Sequence, residues 1–75
     1  MPDFPVTMRG YERRPVDELF ARIEGTLGRG PAPAQPVTAA DVRAARFPRS
    51  MRGYAPRAVD EAMNTAVHEL EQQLD

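Results

Sequence analysis

The sequence predicts an all-α fold in which two amphipathic helices pair as a short coiled-coil-like pseudo-dimer, with Arg-Gly-Tyr loops and one short extra helix. Two observations predict it. Residues 4–18 are repeated 43 positions later at 47–61, with ten of fifteen positions identical. After each copy, apolar residues recur every three or four positions, which is the spacing of one helix face. Two matching apolar stripes favour helices that pack on each other.

Each long helix has a recognisable start in the sequence. Pro15 and Pro56 suit a first helical turn, and the acidic pair that follows each proline favours the positive end of the helix dipole. The first helix is expected to stop at Gly28, where the run Gly-Arg-Gly-Pro begins. The predicted pairing seam consists of Val16, Phe20, Ile23 and Leu27 in the first helix and Val59, Met63, Ala66 and Leu70 in the second.

The segment between the copies contains a linker and a short helix. Residues 29–37 are rich in Pro, Gly and Ala, so they are expected to be semi-extended. Thr38-Ala39-Ala40-Asp41 has the spacing of a capping box, with Val37 and Val42 as its hydrophobic staple. A short helix over 39–46 is predicted, ended by the Phe-Pro of the second copy. The chain then divides into a first motif (1–28), the linker (29–37) and a second motif (38–75), within one structural unit.

The repeated loop reads Phe-Pro-x-x-Met-Arg-Gly-Tyr in both copies. Its glycine suits a turn that is closed to residues with a Cβ, and its Phe and Tyr are expected to cover the end of the helix pair. The two methionines have two readings, core gap-fillers or an exposed tip.

Arg-Gly-Tyr, four residues after a Phe and five before Val-Asp, resembles the N-terminal domain of the DivIVA family (DivIVA/GpsB-like), bacterial cell-division and polarity proteins. The second copy matches the family motif from Thr38 to Leu74, and the first copy matches only from Phe4 on. The chain therefore looks like two tandem copies, the first truncated at its N-terminus. The resemblance implies a non-enzymatic scaffold or adaptor whose crossed loops lock together at one end of a parallel helix pair.

The resemblance also implies partners and a location. Membrane-binding members touch the anionic bilayer with a Phe-Arg loop tip, whereas Met-Arg is similar to the GpsB-like adaptors, which hold arginine-bearing tails of cell-wall synthases. The tip that the resemblance implies for this chain consists of Met8, Arg9, Arg49, Met51 and Arg52. The implied partners are cell-division or cell-wall proteins and the anionic membrane surface at its inner face. The first residues lack the basic n-region and the apolar h-region of a signal peptide, so we expect a cytoplasmic location peripheral to the membrane. The implied peptide groove contains Tyr11, Asp17, Tyr54 and Asp60. For the two aspartates, helix-start electrostatics is the alternative reading.

Several other classes are not favoured by the sequence. An enzyme needs a nucleophile with its base, a carboxylate pair in a cleft or a metal cluster, and we identify no catalytic residue, no metal ligand and no cofactor motif. There is no cysteine, and His68 is expected to be an ordinary surface histidine. No apolar run approaches the roughly 20 residues of a membrane-spanning helix.

Two alternatives remain open. Residues 39–46, a turn and the next helix imitate a helix-turn-helix of a small nucleic-acid-binding protein, and residues 43–57 carry five arginines and no acid. The acids of residues 58–75 would repel phosphate, so we expect no nucleic-acid partner. The two seams are expected to pair within one chain as an intramolecular pseudo-dimer, with a homodimer between chains as the competing arrangement.

Overall fold

Three helices and two short strands follow one another along residues 4–73, the part of the chain that this computed structural model describes. In chain order they are β1 (Val6–Met8), α1 (Arg13–Thr26), α2 (Ala39–Ala44), β2 (Arg52–Tyr54) and α3 (Pro56–Gln73). The first predicted motif (1–28) begins before this range, and the second (38–75) ends after it. The family match at Leu74 lies outside the described residues.

The prediction of an all-α fold is wrong. Strands β1 and β2 pair antiparallel, with Val6 opposite Tyr54 and Met8 opposite Arg52, so the molecule is a small mixed α/β structure and not a pure coiled coil. The strands form because the two repeated loops cross, and each satisfies its backbone N–H and C=O groups on the other. Three-residue strands are shorter than the runs of four to eight that give a readable alternation, so periodicity did not predict them.

Helix α1 is closed at its C-terminal end by the linker. Gly25 lies inside the last turn, where a side chain would collide with the backbone of Pro31 and the ring of Pro33. Glycine weakens a helix interior, and here it lets the linker pass directly over the helix. The helix ends at Thr26, and Gly28 adopts a positive φ of 80°, a conformation common just after helix ends.

The predicted capping box is confirmed at the start of α2. The Thr38 hydroxyl accepts from the Asp41 N–H, and the Asp41 carboxylate accepts from the Thr38 N–H. These bonds hold the pKa of Asp41 below its usual value, the backbone bond from Thr38 contributing most. The staple residues Val37 and Val42 are both buried. The helix ends at Ala44, two residues earlier than predicted, because Ala45 is already extended.

Helices α1 and α3 lie side by side and run in the same direction. Both begin at the crossing of the loops, and their other ends also meet, since Arg29 bonds Glu69 at 2.8 Å and Gln73 bonds the Leu27 carbonyl. The short helix α2 also contributes buried side chains, so the core is formed by three helices and not by the two long ones alone. The buried core comprises Val16, Leu19, Phe20, Ile23, Val37, Ala39, Val42, Val59, Ala66, Val67 and Leu70.

Candidate functional site

The two repeated loops cross through a symmetric set of backbone hydrogen bonds. Tyr11 and Tyr54 exchange two bonds of 2.9 Å. The Glu12 N–H donates to the Pro48 carbonyl at 2.9 Å, and the Ala55 N–H, 43 residues after Glu12, donates to the Pro5 carbonyl at 2.8 Å. Each of these four bonds has its equivalent 43 residues along the chain, so the crossing has approximate two-fold symmetry about the pair of tyrosines.

Glycine is required where the backbones cross. A Cβ on Gly10 would overlap the backbone of Gly53, and a Cβ on Gly53 would overlap the backbone of Tyr11 and Gly10. Both glycines are buried. The Arg-Gly-Tyr motif therefore places its arginine and its tyrosine on either side of a point where no side chain fits.

Side-chain hydrogen bonds also join the two copies. The Tyr54 hydroxyl donates to Asp17 at 2.6 Å, and the Tyr11 hydroxyl donates to Asp60 at 3.1 Å. Partial burial of the Tyr11 ring and its bond to the Asp60 carboxylate raise the pKa of Tyr11. The four residues predicted as a peptide groove are thus placed as two separate Tyr–Asp pairs, each joining one copy's loop to the other copy's helix.

The repeated phenylalanines follow the same exchange. Phe4 packs on Tyr54 with ring centroids 5.2 Å apart, and Phe47 packs on Tyr11 at 5.5 Å. Phe4 also meets Phe20 edge-on at 5.3 Å. Aromatic pairs with this geometry stabilise beyond their buried area, so the aromatic residues close the end of the core from which the loops project.

A tip patch projects beyond this aromatic layer. We define it as Val6, Met8 and Met51 together with Arg9, Arg49 and Arg52. Met8 and Met51 are 74% and 78% exposed, and Val6 is 45% exposed. These three side chains are the exposed large hydrophobic residues of the described range, and they line a shared surface depression with Thr7 and Arg52. Val6 was not predicted as a tip residue, since it has no equivalent in the second copy, where Arg49 stands.

The arginines of the tip patch differ in conformation. Arg9 has a positive φ of 58°, whereas its repeat equivalent Arg52 lies in β2. The Arg49 guanidinium lies 5.2 Å from the ring centre of Tyr11 and donates to the Arg9 carbonyl at 3.2 Å. Cation–π contact of this kind holds an arginine head without neutralising it. The tip therefore keeps its positive charge.

Charge is strongly separated along the chain. Residues 4–15 and 46–57, which form the crossing and the helix starts, contain seven of the ten arginines and a single acid. Residues 16–45 and 58–73 contain three arginines and eight acids. The end that carries the exposed methionines is therefore basic, and the helical body is acidic.

A second concave surface lies between α2 and α3. It is an open groove of about 410 Å³ whose apolar lining includes Phe47, Met63 and Val67, and the Tyr11–Asp60 pair also lines it. Two arginines of the α2 region border the same groove. One of them, Arg43, bonds Glu71 on α3 at 2.6 Å.

The predicted pairing seam is divided between fully and partly buried positions. Six of its side chains are buried, whereas Leu27 and Met63 are half-buried and pack against the core from its edge. Leu19 and Val67, which the seam omitted, are also buried. A heptad seam describes contact with a single partner helix, and it misses these two residues because the long helices also pack on other parts of the core. The buried seam residues are Val16, Phe20, Ile23, Val59, Ala66 and Leu70.

The connection between α2 and α3 differs from that of a helix-turn-helix, on which the nucleic-acid alternative depends. Eleven residues separate α2 from α3, and they include β2 and half of the crossing. Helix-turn-helix units join their helices through three or four residues. Arg46, Arg49 and Arg52 accordingly lie on a loop committed to the crossing and not along a free helix face.

The described residues contain no helix whose length and apolar character would allow it to cross a membrane. Within residues 4–73, no three His, Cys, Asp or Glu side chains gather closely enough to hold a metal ion. Comparison with known proteins gives no match to a family model, to a curated protein or to a solved structure.

Proposed function

We propose that this chain is a tandem DivIVA-like module, a non-enzymatic scaffold or adaptor that attaches to an anionic membrane surface through its tip patch and binds a partner protein through its helical body. The observation that carries the proposal is the pair Met8 and Met51, repeat-related, highly exposed and surrounded by arginines at one end of the molecule. A role in bacterial cell division, polarity or cell-wall growth, on the cytoplasmic face of the membrane, follows from the family resemblance and is part of the proposal.

Having both loops in one chain makes the attachment stronger than a single loop would. Burying one methionine stabilises by roughly 1.5 to 3 kcal/mol, and each arginine near an anionic surface adds about 1 kcal/mol. Met8 and Met51 lie on adjacent, paired backbone, because the Arg9 N–H donates to the Met51 carbonyl at 2.8 Å. Both side chains therefore enter the same surface together, and loss of translational freedom is incurred once.

Flotation with phospholipid vesicles tests the membrane contact. The chain is expected to float with vesicles of equal parts phosphatidylcholine and phosphatidylglycerol, and to stay unbound with phosphatidylcholine alone. Met8→Glu combined with Met51→Glu should abolish flotation. The matched control, Ala21→Glu combined with Gln72→Glu, adds the same charge at exposed helix positions and should still bind. Equal loss in both double variants would indicate a net-charge effect and reject the tip.

The groove between α2 and α3 is the proposed partner site. The resemblance suggests an arginine-bearing tail as ligand, and the Asp60 carboxylate beside an apolar lining supplies an anionic contact for one. Fluorescence anisotropy with a labelled arginine-rich peptide is the measurement. Asp60→Asn keeps an acceptor for Tyr11 but removes the charge, so it should weaken binding at least tenfold, whereas Asp17→Asn should not. Equal effects of both variants would reject this groove.

The pairing of the two copies is proposed to be intramolecular. The symmetric crossing, the shared core and the Arg29–Glu69 ion pair all form within one chain. Light scattering should give a monomer whose mass does not change with concentration. A stable dimer would favour pairing of the seams between chains.

A further inference from the structure

The apolar surface of the tip patch consists largely of thioether side chains. Met8 and Met51 are the two most exposed of its hydrophobic residues, and Val6 is the third. The repeat has placed a methionine at the same position twice, directly before the Arg-Gly of each loop. The two most exposed apolar side chains of the tip patch therefore both carry a sulfur atom.

Accessibility distinguishes these methionines from the third described one. Met63 is half-buried against the core and lines the α2–α3 groove, whereas Met8 and Met51 project from β1 and from the residue before β2. Oxidation of methionine depends on solvent access to the sulfur, and it converts an apolar side chain into a polar one. Among the three methionines of residues 4–73, the tip sulfurs are thus the ones that an oxidant in water would reach first.

We propose that Met8 and Met51 are oxidation sites that release the chain from membranes, an inference that rests on the proposed membrane function. The oxidant class is a peroxide. The thioether sulfur attacks one oxygen of hydrogen peroxide, the O–O bond breaks and an S=O bond forms. The proton of the attacked oxygen passes to the departing hydroxide, which leaves as water. Sulfur loses two electrons and the peroxide gains them.

The consequence follows from where the polar group is created. A sulfoxide oxygen at Met8 or Met51 would have to be dehydrated for the tip to enter the apolar part of the bilayer, which costs free energy. The arginines keep only the electrostatic part of the attachment, which salt screens. Loss of one methionine's apolar contribution corresponds to at least about a tenfold fall in affinity. Because sulfoxides are reduced enzymatically, attachment is reversible.

The test compares vesicle binding of the full chain before and after hydrogen peroxide, with intact mass reporting the oxygen atoms added and circular dichroism reporting the fold. The matched variant is Met8→Leu combined with Met51→Leu, a volume-conserving change that retains Met63 and Met1. We expect binding of the oxidised wild type to phosphatidylglycerol vesicles to fall at least tenfold, and binding of the leucine variant to be unchanged by peroxide. Treatment with methionine sulfoxide reductases should restore the wild type.

Three results would overturn the inference. Unchanged vesicle binding after both tip methionines are oxidised would reject it while leaving the membrane function intact. An equal loss in the leucine variant would assign the effect to Met1, to Met63 or to unfolding, and would reject the tip methionines as its cause. If the untreated wild type fails to bind vesicles, the membrane function fails and the inference fails with it.

Discussion

The peptide groups of Tyr11 and Tyr54 face each other across the crossing and exchange two hydrogen bonds of 2.9 Å. The two residues occupy the same position of the repeat, so each copy meets its own equivalent, as a two-fold relation requires. Their side chains then diverge, and each reaches the aspartate on the other copy's helix. Neither copy completes its own loop, because each tyrosine finds its acceptor on the other copy.

Removing the two tyrosine hydroxyls should have unequal effects on stability. The bond from Tyr54 to Asp17 is short, at 2.6 Å, and partly buried, whereas the bond from Tyr11 to Asp60 is longer, at 3.1 Å, and exposed. We expect Tyr54→Phe to lower the free energy of unfolding by about 1.5 kcal/mol and Tyr11→Phe by about 0.5 kcal/mol. Urea denaturation measures both. A larger loss for Tyr11→Phe would contradict the assigned burial.

Alanine at either crossing glycine should be severely destabilising. Gly10→Ala and Gly53→Ala each place a methyl group on the opposing backbone, so the loops must separate. We expect a loss of at least about 3 kcal/mol in unfolding free energy. Gly30→Ala is the control, since its nearest neighbours lie 3.9 Å from the added atom, and it should change stability little. Thermal melts followed by circular dichroism are sufficient, and equal melting temperatures for the three variants would refute the crossing.

Arg9 and Arg52 are repeat equivalents with different backbone conformations, which makes them a matched pair. A left-handed conformation costs a non-glycine residue roughly 1 to 2 kcal/mol, so Arg9→Gly should stabilise the fold by about 1 kcal/mol. Arg52→Gly should destabilise it by about 0.5 to 1 kcal/mol, because Arg52 lies in a strand. Chemical denaturation of both variants checks the sign. Destabilisation by Arg9→Gly would contradict the positive φ.

The capping box gives the chain a predictable response to acid. Since the pKa of Asp41 is lowered in the folded state from its usual value of 3.8, the carboxylate stabilises the fold above that value, and the contribution is lost as the pH falls through the lower folded pKa. Asp41→Asn should therefore be less stable than the wild type at neutral pH, and the difference should shrink below about pH 4.

The partner residue provides an internal comparison for the acid response. Thr38→Ala removes the other half of the box and should cost about 1 kcal/mol at neutral pH. Denaturation curves of the wild type, Asp41→Asn and Thr38→Ala, recorded from pH 7 to pH 3, measure how each difference in stability depends on pH. A difference between wild type and Asp41→Asn that grows toward low pH would reverse the predicted sign.

The helices were the most predictable part of the fold. The apolar spacing around Val16 and Ile23 and the box at Thr38 are local patterns, and the structure contains helices at each of these places. Helix ends were less accurate, because the Ala45 backbone turns extended to lead into the second loop. The strands were missed, because their hydrogen bonds join residues about 45 positions apart, as between Val6 and Tyr54, and no local pattern encodes a partner at that distance.

The candidate site shows the same division. The sequence identified Met8 and Met51 through the repeat, but it left open whether they fill a core or project from it. Only the crossing of the loops decided this, because it aims the aromatic residues inward and leaves the methionines outside. The repeat likewise named both tyrosines and both aspartates without indicating that each tyrosine pairs with the other copy's aspartate.

The sequence alone determined the duplication, the helical stripes and the glycines that the loops require, since these depend on residue type and on spacing along the chain. The tertiary structure decided which copy supplies each partner, where the sheet forms and which side of the repeated loop meets solvent. The physical reason is that a two-fold crossing exchanges contacts between distant segments. Whether Tyr54 bonds Asp17 or Asp60 is set by the path of the backbone in space and not by the order of residues along it.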